Sequence, residues 1–393
     1  MQKADRLHAL DAVRAFALLL GVVHHATLSF IPGTGLAPVE DVSPSAPLAL
    51  LAAVGHIFRM PLFFLMAGLF ARMMLHRKGL RGFCADRLQR ILVPLVVAWI
   101  VFVPLINAIW SWGLTGSVYH SPLLTWPFSP ATFPTSYLWF LYYLLLIYGL
   151  ALVARQIAMS TGMRLGAADP LIRRLMTARW VAPIALTVPI VVVMLLRGPE
   201  WSALIGIETP NASLIPAAVP LCAYGLVFAL GWMIGRNMEL LALFRERWVG
   251  YLTAALLATA TCILIAASRR GESVSSLHAS YALAYVFASW CWIFALVGLA
   301  LRYLSTVSPA RRYIADASYW IYLLHYPVVL ILQDAFAEVR WHWIVKYPLI
   351  LGITLAICVT TYHLFVRFTI IGRVLNGRRA SRPATVTPPE PAT

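Results

Sequence analysis

The chain contains ten apolar runs, each long enough to cross the hydrocarbon core of a bilayer, which is about 30 Å thick. They cover residues 8–31, 49–75, 90–111, 136–158, 180–197, 212–235, 248–267, 279–302, 317–335 and 345–367. Of the 393 residues, 61% are hydrophobic and 12% are charged, whereas a soluble domain has about 25% charged residues. Because a bilayer offers no water to backbone groups, such runs cross it as helices. The sequence therefore predicts an all-α, polytopic membrane protein with about ten transmembrane helices.

The basic residues predict the orientation of these spans. If the amino terminus is cytoplasmic, 24 of the 31 Lys and Arg residues fall in cytoplasmic segments and five in external ones. This asymmetry is the one that the positive-inside rule describes. It predicts that both termini are cytoplasmic, and the spread of the charge over short loops argues against nucleic acid as a partner.

The division of the chain is expected to be simple. Residues 1–375 are predicted to form one ten-helix transmembrane domain. Residues 376–393 are rich in Pro and Thr and are expected to be a disordered cytoplasmic tail. The five cysteines are scattered without metal-ligand spacing, so we expect no metal site and no bound cofactor.

The first span contains ionisable residues that would be costly in a bilayer, roughly 2.5–3.5 kcal/mol for a central Arg. Arg14 and His25 lie within about 20° of one another on a helix, because eleven residues turn about 1100°. Asp11 is one turn before Arg14, where the two can pair. His25 is a candidate general base. The alternative is a structural ion pair, with a histidine whose imidazole bonds to a backbone carbonyl.

Two arginines mark the cytoplasmic start of the third span. Arg87 and Arg90, three residues apart, would present two guanidinium groups on one helix face, and this arrangement suits bidentate phosphate contacts. The alternative is an ordinary basic flank of a membrane helix.

A second group of candidates is expected near the external ends of the spans. His56 and Arg59 lie on span two, Trp139 and Tyr142 on span four, and His325 on span nine. Together they predict a polar pocket for an acceptor or an oxyanion. Aromatic residues at span ends also occur as interfacial anchors, so the two aromatic residues have a structural alternative.

These segments together resemble the acyltransferase 3 family of integral membrane acyltransferases. The resemblance rests on LDAVRAFALLLGVVHHA with Arg14 and His25, on FRMPLFFLMAGLF, on the step from Arg87 to Arg90, on LWFLYYLLL and on ASYWIYLLHYP. It extends over nearly the whole chain. HIFRMPLFF, LWFLYYLL and IYLLHYP look most like the branch that succinylates osmoregulated periplasmic glucans.

The resemblance implies an enzyme that transfers acyl groups other than aminoacyl groups, located in a bacterial inner membrane. It implies acyl-CoA, as succinyl-CoA or acetyl-CoA, as the co-substrate and an extracytoplasmic glycan as the acceptor. The other expected partners are the lipid bilayer and glucan-synthesis proteins. It also implies that Arg14 and His25 are essential and that Arg87 and Arg90 bind the donor phosphates.

The resulting hypothesis is a transfer across the membrane. The acyl-CoA arm would pass Asp11 and Arg14, and His25 would deprotonate a sugar hydroxyl. Arg59 or His325 would stabilise the oxyanion or hold a succinyl carboxylate. Acyl transfer could be direct or could use a covalent intermediate. The rival hypotheses are an exporter of a small anion or acyl donor and a non-catalytic scaffold for polysaccharide assembly.

Overall fold

The computed structural model describes residues 3–118, 129–163, 166–197, 206–268 and 275–377. Every regular element in these ranges is helical. The helices are α1 (Lys3–Thr27), α2 (Ala46–Arg87), α3 (Val93–Thr115), α4 (Trp139–Ser160), α5 (Asp169–Thr177), α6 (Val181–Arg197), α7 (Ala218–Arg236), α8 (Leu241–Ser268), α9 (Ser275–Tyr303), α10 (Pro309–Ala337), α11 (Trp343–Thr361) and α12 (Ile370–Asn376). The predicted external stretch 112–135 lies partly outside the described residues. The predicted tail, residues 376–393, lies outside them from residue 378 onward.

The predicted class, an all-α polytopic membrane protein, is confirmed. By length and composition, eight helical segments of the described chain can cross a membrane, and a ninth is added if the bent pair of α5 and α6 counts as one span. One of the eight, Ala46–Thr115, has 70 residues and contains two of the predicted spans. The count of eight or nine is therefore compatible with ten crossings.

The long segment is broken at Gly79, where φ is 68° and ψ is −179°. Only glycine adopts this conformation without strain. Beyond the break, Gly113 near the end of α3 packs against Pro38 and Val39, which connect α1 to α2. Since α3 ends beside the point where α2 begins, the chain crosses once along α2 and returns along α3.

The connections between helices gather at two opposite ends of the bundle. We call one end the arginine side, because it carries Arg87, Arg90, Arg236, Arg247 and Arg311. The other end, which holds residues 31–45, 206–217 and 338–342, is called the histidine side. At the arginine side, the Tyr319 hydroxyl of α10 donates to the Arg90 carbonyl over 2.8 Å.

Two segments differ from the predicted spans. The fifth span, predicted at 180–197, is α6, which has 17 residues and meets the amphipathic helix α5 at 114°. The sixth, predicted at 212–235, begins only at Ala218. Before it, the chain is extended and packs on the start of α4, where the Tyr143 hydroxyl accepts from the Ala217 amide over 2.8 Å.

Helix α1 lies at the centre of the bundle, in contact with α2, α9, α10 and α11. At the histidine side, its connection to α2 is tied to the α10–α11 connection by a fully buried ion pair between Asp41 and Lys346. Lys346 also donates to the carbonyls of Phe336 and Val339. These contacts fix the rim of the space between α1, α2 and α10.

Candidate functional site

A cavity of about 720 Å³ lies inside the bundle toward the histidine side. Helices α1, α2, α4, α8, α9 and α10 and the segment before α7 form its walls. Of the residues predicted from the sequence, it is lined by His25, His56, Arg59, Trp139 and His325. The structure therefore brings together residues from four helices that are up to 300 positions apart in the chain.

His25 and His325 face one another across this cavity, with ring centres 5.3 Å apart. Nδ1 of His325 lies 2.8 Å from the Tyr322 carbonyl oxygen. Because a carbonyl only accepts, Nδ1 must carry the hydrogen, and Nε2 of the neutral ring keeps its lone pair. This Nε2 is buried without a partner, as is Nδ1 of His25. The pair can therefore accept a proton from a bound ligand.

The helix that carries His25 is held in place by a buried amide. Gln333 of α10, which is 1% exposed, donates through Nε2 to the His25 carbonyl over 2.9 Å. The His25 ring also packs on Tyr326, with ring centres 4.6 Å apart. The position of His25 is thus set by α10, the helix that carries His325.

Arg59 is a buried cation without a counter-ion. Its side chain lines the cavity, only 8% of the residue is exposed, and it has no ion pair within the described residues. Its Nε and Nη1 have no hydrogen-bond partner. An unpaired charge in a membrane interior is costly and is typical of a functional site. Arg59 is therefore suited to bind an oxyanion or a carboxylate.

A second pair of histidines lies beside Arg59. The rings of His24 and His56 stack with centres 5.9 Å apart, and Nε2 of His56 lies 3.0 Å from the Ile207 carbonyl. The segment that holds Ile207 also brings Thr209 and Asn211 to the cavity wall. Sequence reasoning missed Thr209 and Asn211, because no sequence pattern shows that their segment forms a wall of the cavity. Among the described residues, no group of three or more His, Cys, Asp or Glu side chains could hold a metal ion.

The two aromatic residues predicted for the pocket, Trp139 and Tyr142, lie in different surroundings. Trp139 lines the cavity, where it packs edge-on against Phe140. Tyr142 is not part of the cavity lining, and its hydroxyl donates to the Leu214 carbonyl. This bond holds the segment before α7 against α4, so Tyr142 supports a wall of the cavity. Its predicted role toward an acceptor stays a prediction.

Arg87 and Arg90 lie at the opposite end of the bundle. Both contact Asp86, with N–O distances of 2.6 Å from Arg87 and 3.5 Å from Arg90, and Lys78 contacts the same carboxylate at 2.7 Å. Arg87 also donates to the Tyr148 hydroxyl over 3.2 Å. Three cations share one carboxylate, so this cluster keeps a positive charge. The i,i+4 spacing of Asp86 and Arg90 is a sequence signal that could have revealed the carboxylate.

Asp11 and Arg14 form the predicted ion pair, at 3.5 Å, and both side chains are about 40% exposed. The Arg14 guanidinium lies over the Phe70 ring of α2, 5.6 Å from its centre, and close enough to Arg90 for their charges to repel. Neither Asp11 nor Arg14 lines the cavity, whose α1 wall ends at Ala17, one turn away. The cavity around His25 therefore stops short of Arg14 in this structure, whereas the sequence predicted one continuous passage.

Aromatic residues of α2 lie at the depths of both the cavity and Arg14. Phe63 lines the cavity and packs edge-on against Phe140, with ring centres 4.4 Å apart. Phe70, which contacts Arg14, lies seven residues further along, or about 10 Å at 1.5 Å per residue. Sequence reasoning placed Arg14 and His25 on one helix face, but it could not show which aromatic side chains fill the space between them.

The fold and the cavity define a multi-pass membrane protein whose bundle encloses a cavity lined by histidines and an arginine. The sequence model of the acyltransferase 3 family, described as an acyltransferase domain, matches residues 7–363. The chain belongs to this family and is a membrane acyltransferase. The family resemblance seen in the sequence is thereby confirmed.

Curated relatives match over a shorter stretch. The proteins called glucans biosynthesis protein C from Salmonella paratyphi B (strain ATCC BAA-1250 / SPB7), Salmonella heidelberg (strain SL476) and Salmonella schwarzengrund (strain CVM19633) are each 35% identical to it over 95 residues. This stretch is 24% of this chain and 24% of each relative. The chain therefore aligns with only about a quarter of the length of these relatives. No solved structure matches the chain significantly.

Proposed function

We propose that this acyltransferase moves an acyl group from acyl-CoA at the arginine side to a hydroxyl of a glycan at the histidine side. The observation that carries the proposal is the cavity in which His25, His325 and Arg59 meet with unpartnered polar nitrogens. Such a set of acceptors and one cation fits acyl transfer to a hydroxyl, which needs a base and a cation for the developing oxyanion.

The donor would bind at the arginine side, which is the cytoplasmic side in this proposal. Arg87 and Arg90 would receive the nucleotide phosphates, because the single carboxylate of Asp86 leaves their cluster positive. Arg14 would add its charge at the entrance to the α1–α2 interface, where its guanidinium covers Phe70. The membrane concerned would be a bacterial inner membrane.

The acyl chain would then reach the cavity along α1. This requires the aromatic contact between Phe63 and Phe140 to open, because these two are the lining residues of α2 and α4 nearest the arginine side. Ring pairs of this kind contribute about 0.5–1.5 kcal/mol, so donor binding can supply the cost of separating them. Entry of the thioester is therefore an induced opening in this proposal.

The chemical step follows from the cavity geometry. His25 takes the proton of a sugar hydroxyl while the hydroxyl oxygen attacks the thioester carbonyl. Arg59 stabilises the oxyanion of the tetrahedral intermediate. The intermediate collapses, the carbon–sulfur bond breaks, and the imidazolium returns its proton to the departing thiolate. His325 keeps its Nε2 lone pair toward this site, so in its neutral form it serves as a second proton acceptor and not as an oxyanion donor.

The acyl group and the acceptor are the finer parts of the proposal. If the acyl group is succinyl, Arg59 could hold its free carboxylate, whereas an acetyl group would leave Arg59 to the oxyanion alone. The name of the matched relatives supports a glucan acceptor, such as an osmoregulated periplasmic glucan. Glucan-synthesis proteins would then be partners that supply the acceptor.

Vesicles that contain the purified protein test this proposal. Acyl-CoA is supplied on the face where the arginine side is exposed, and glucan is enclosed on the other face. We expect acylated glucan in the lumen by mass spectrometry, and none when the acyl-CoA is omitted. A transporter would instead give counterflow of a labelled anion without any acylated glucan, and that result would overturn the proposal.

A further inference from the structure

The cavity also extends sideways between α2 and α8, close to the histidine side. The residues that line this gap are small or apolar. They are Ala46, Ala49, Leu50 and Ala53 of α2 and Cys262, Ile263, Ala266 and Ala267 of α8. Five of these eight residues are alanine, so little side-chain volume fills the space between the two helices.

The gap faces the membrane. Beside the gap, Leu51 of α2 is 42% exposed and Leu264 of α8 is 70% exposed, and neither lines the cavity, so the outer faces of both helices meet lipid. Helix α8 packs chiefly against α9, and α2 packs chiefly against α7 and α1 and also contacts α9. Since α2 and α8 do not pack closely against each other, the two helices stand apart at the gap. Only about a fifth of the most apolar stretch of α8 is buried in the protein. What surrounds such a helix in a membrane is lipid hydrocarbon.

The depth of the gap matches one end of a lipid molecule. Leu50 is four residues from the start of α2 and Ile263 is five residues from the end of α8. At 1.5 Å per residue, both lie about 6–8 Å below the ends of their helices. For helices that end at the level of the head groups, this depth corresponds to the upper chain region of the leaflet at the histidine side.

The cavity changes in character from the gap inward. Its inner wall carries His25 and Arg59, and the segment before α7 adds Thr209 and Asn211. Hydroxyl and amide groups of this kind bind sugar hydroxyls. The gap itself is lined by apolar side chains. A ligand that satisfies both parts has a sugar head and an apolar chain.

We propose that the gap between α2 and α8 admits the hydrocarbon chain of a lipid-linked glycan, whose sugar enters the cavity next to His25. This inference rests on the proposed function and narrows its acceptor class. A lipid tail gains little on moving from lipid to an alanine-lined gap, because the two surroundings are similarly apolar. The gap therefore acts sterically, since the tail stays in the membrane while the sugar reaches the base.

Acceptor kinetics in phospholipid nanodiscs test the gap. The probes are methyl β-glucoside and a long-chain alkyl β-glucoside, which share one sugar and differ in the tail. The wild type is expected to show a KM at least tenfold lower for the alkyl glucoside. Ala266→Phe, which fills the gap, should reduce this ratio at least fivefold. Ala53→Phe on the opposite wall should do the same if the first variant does not fold.

The matched control is Leu264→Phe. Leu264 is 70% exposed and neighbours Ile263, but it does not line the cavity. We expect it to keep the wild-type ratio, because its side chain points into lipid. Equal ratios in the gap variants and the control would overturn the inference, because tail preference would then reflect membrane partitioning alone.

Photolabelling separates this inference from the proposed function. An alkyl glucoside with a diazirine in its chain is expected to label residues 46–53 and 262–267, and a phosphatidylcholine with the same chain is expected to label them at least fivefold less. Equal labelling by both would mean that ordinary membrane lipid fills the gap, and the inference would fail. Labelling by the glucoside without any acyl transfer would overturn the proposed function but support the gap. Transfer to methyl glucoside without labelling of the gap would support the proposed function but overturn the inference about the gap.

Discussion

Arg59 is a buried charged residue whose surroundings would not be selected for stability alone. Its guanidinium is buried in the membrane part of the bundle, and no described carboxylate forms an ion pair with it. The groups that interact with it electrostatically are tyrosines and histidines, namely Tyr224, Tyr285, Tyr322, His24, His25 and His325. Burial of an uncompensated charge costs free energy unless a partner arrives. The simplest explanation is that the partner is the ligand, which carries or develops a negative charge.

This explanation predicts opposite effects on stability and activity. Arg59→Met should raise the free energy of unfolding by about 1–3 kcal/mol, because an unsatisfied buried polar group is removed. The same variant should lose acyl transfer by at least about 100-fold, as expected when an oxyanion partner is removed. Thermal melts in detergent and transfer assays on the same preparation check both effects. Lower stability together with normal transfer would contradict this role.

Most of the candidate site was visible in the sequence because ionisable residues are rare in membrane spans. That rule found His25, His56, Arg59 and His325. It could not find Thr209 and Asn211, because polar residues in a connection are ordinary. It also could not show that the cavity stops short of Arg14, since aromatic packing depends on how α2 and α4 meet.

At the scale of elements, α2 and α7 are held together by a close backbone contact. A Cβ on Gly231 of α7 would collide with the Leu65 carbonyl of α2, and a Cβ on Gly68 of α2 would collide with the Phe228 carbonyl of α7. Small residues allow membrane helices to pack this closely. Since α2 carries Arg59 and His56, this contact also sets the position of one wall of the cavity.

The contact predicts a difference between two glycines of α7. Gly231→Ala should destabilise the bundle by about 1–3 kcal/mol, because an added methyl group must push the helices apart. Gly225→Ala is the control, since its Cβ would have no neighbour within 4 Å. Fluorescence-detected size exclusion after heating measures both variants. Similar melting of the two would show that the packing of α2 on α7 is not as described.

The buried pair of Asp41 and Lys346 gives a second prediction at this scale. Lys346→Met should cost about 3–5 kcal/mol, because it leaves the Asp41 carboxylate buried without a cation. Combining it with Asp41→Asn should restore part of that loss, since the amide oxygen can still accept from the Ser43 amide, as Asp41 does at 2.7 Å. Thermal melts of the single and double variants measure the loss of stability and its recovery. No recovery in the double variant would assign the loss to packing instead of charge.

For the whole molecule, sequence reasoning predicted the helical class, and the structure has a helix at each of the ten predicted spans. The signal was strong because length and apolar composition define a membrane helix. Boundaries were less predictable. Residues 212–217, before α7, are apolar enough to extend a span, but in the fold they are not helical and pack on the start of α4. The orientation of the bundle stays a prediction from charge asymmetry.

That orientation can be measured with single cysteines. Ala131→Cys at the histidine side and Glu246→Cys at the arginine side are both exposed. In spheroplasts, a membrane-impermeant thiol reagent should label the first and should reach the second only after permeabilisation, because basic connections remain in the cytoplasm. The variants are made in a chain whose five native cysteines are replaced by alanine. The opposite labelling pattern would invert the proposed direction of transfer.

The central claim is that His25 removes the proton from the acceptor hydroxyl within the cavity. Its direct test is acyl transfer from acyl-CoA to glycan by purified His25→Ala protein that inserts and melts like the wild type. The rate should fall about 10²–10⁴-fold, the usual contribution of a general base. His8→Ala, the same change on the same helix but outside the cavity lining, should keep the wild-type rate. Wild-type turnover by the His25→Ala protein would contradict the account.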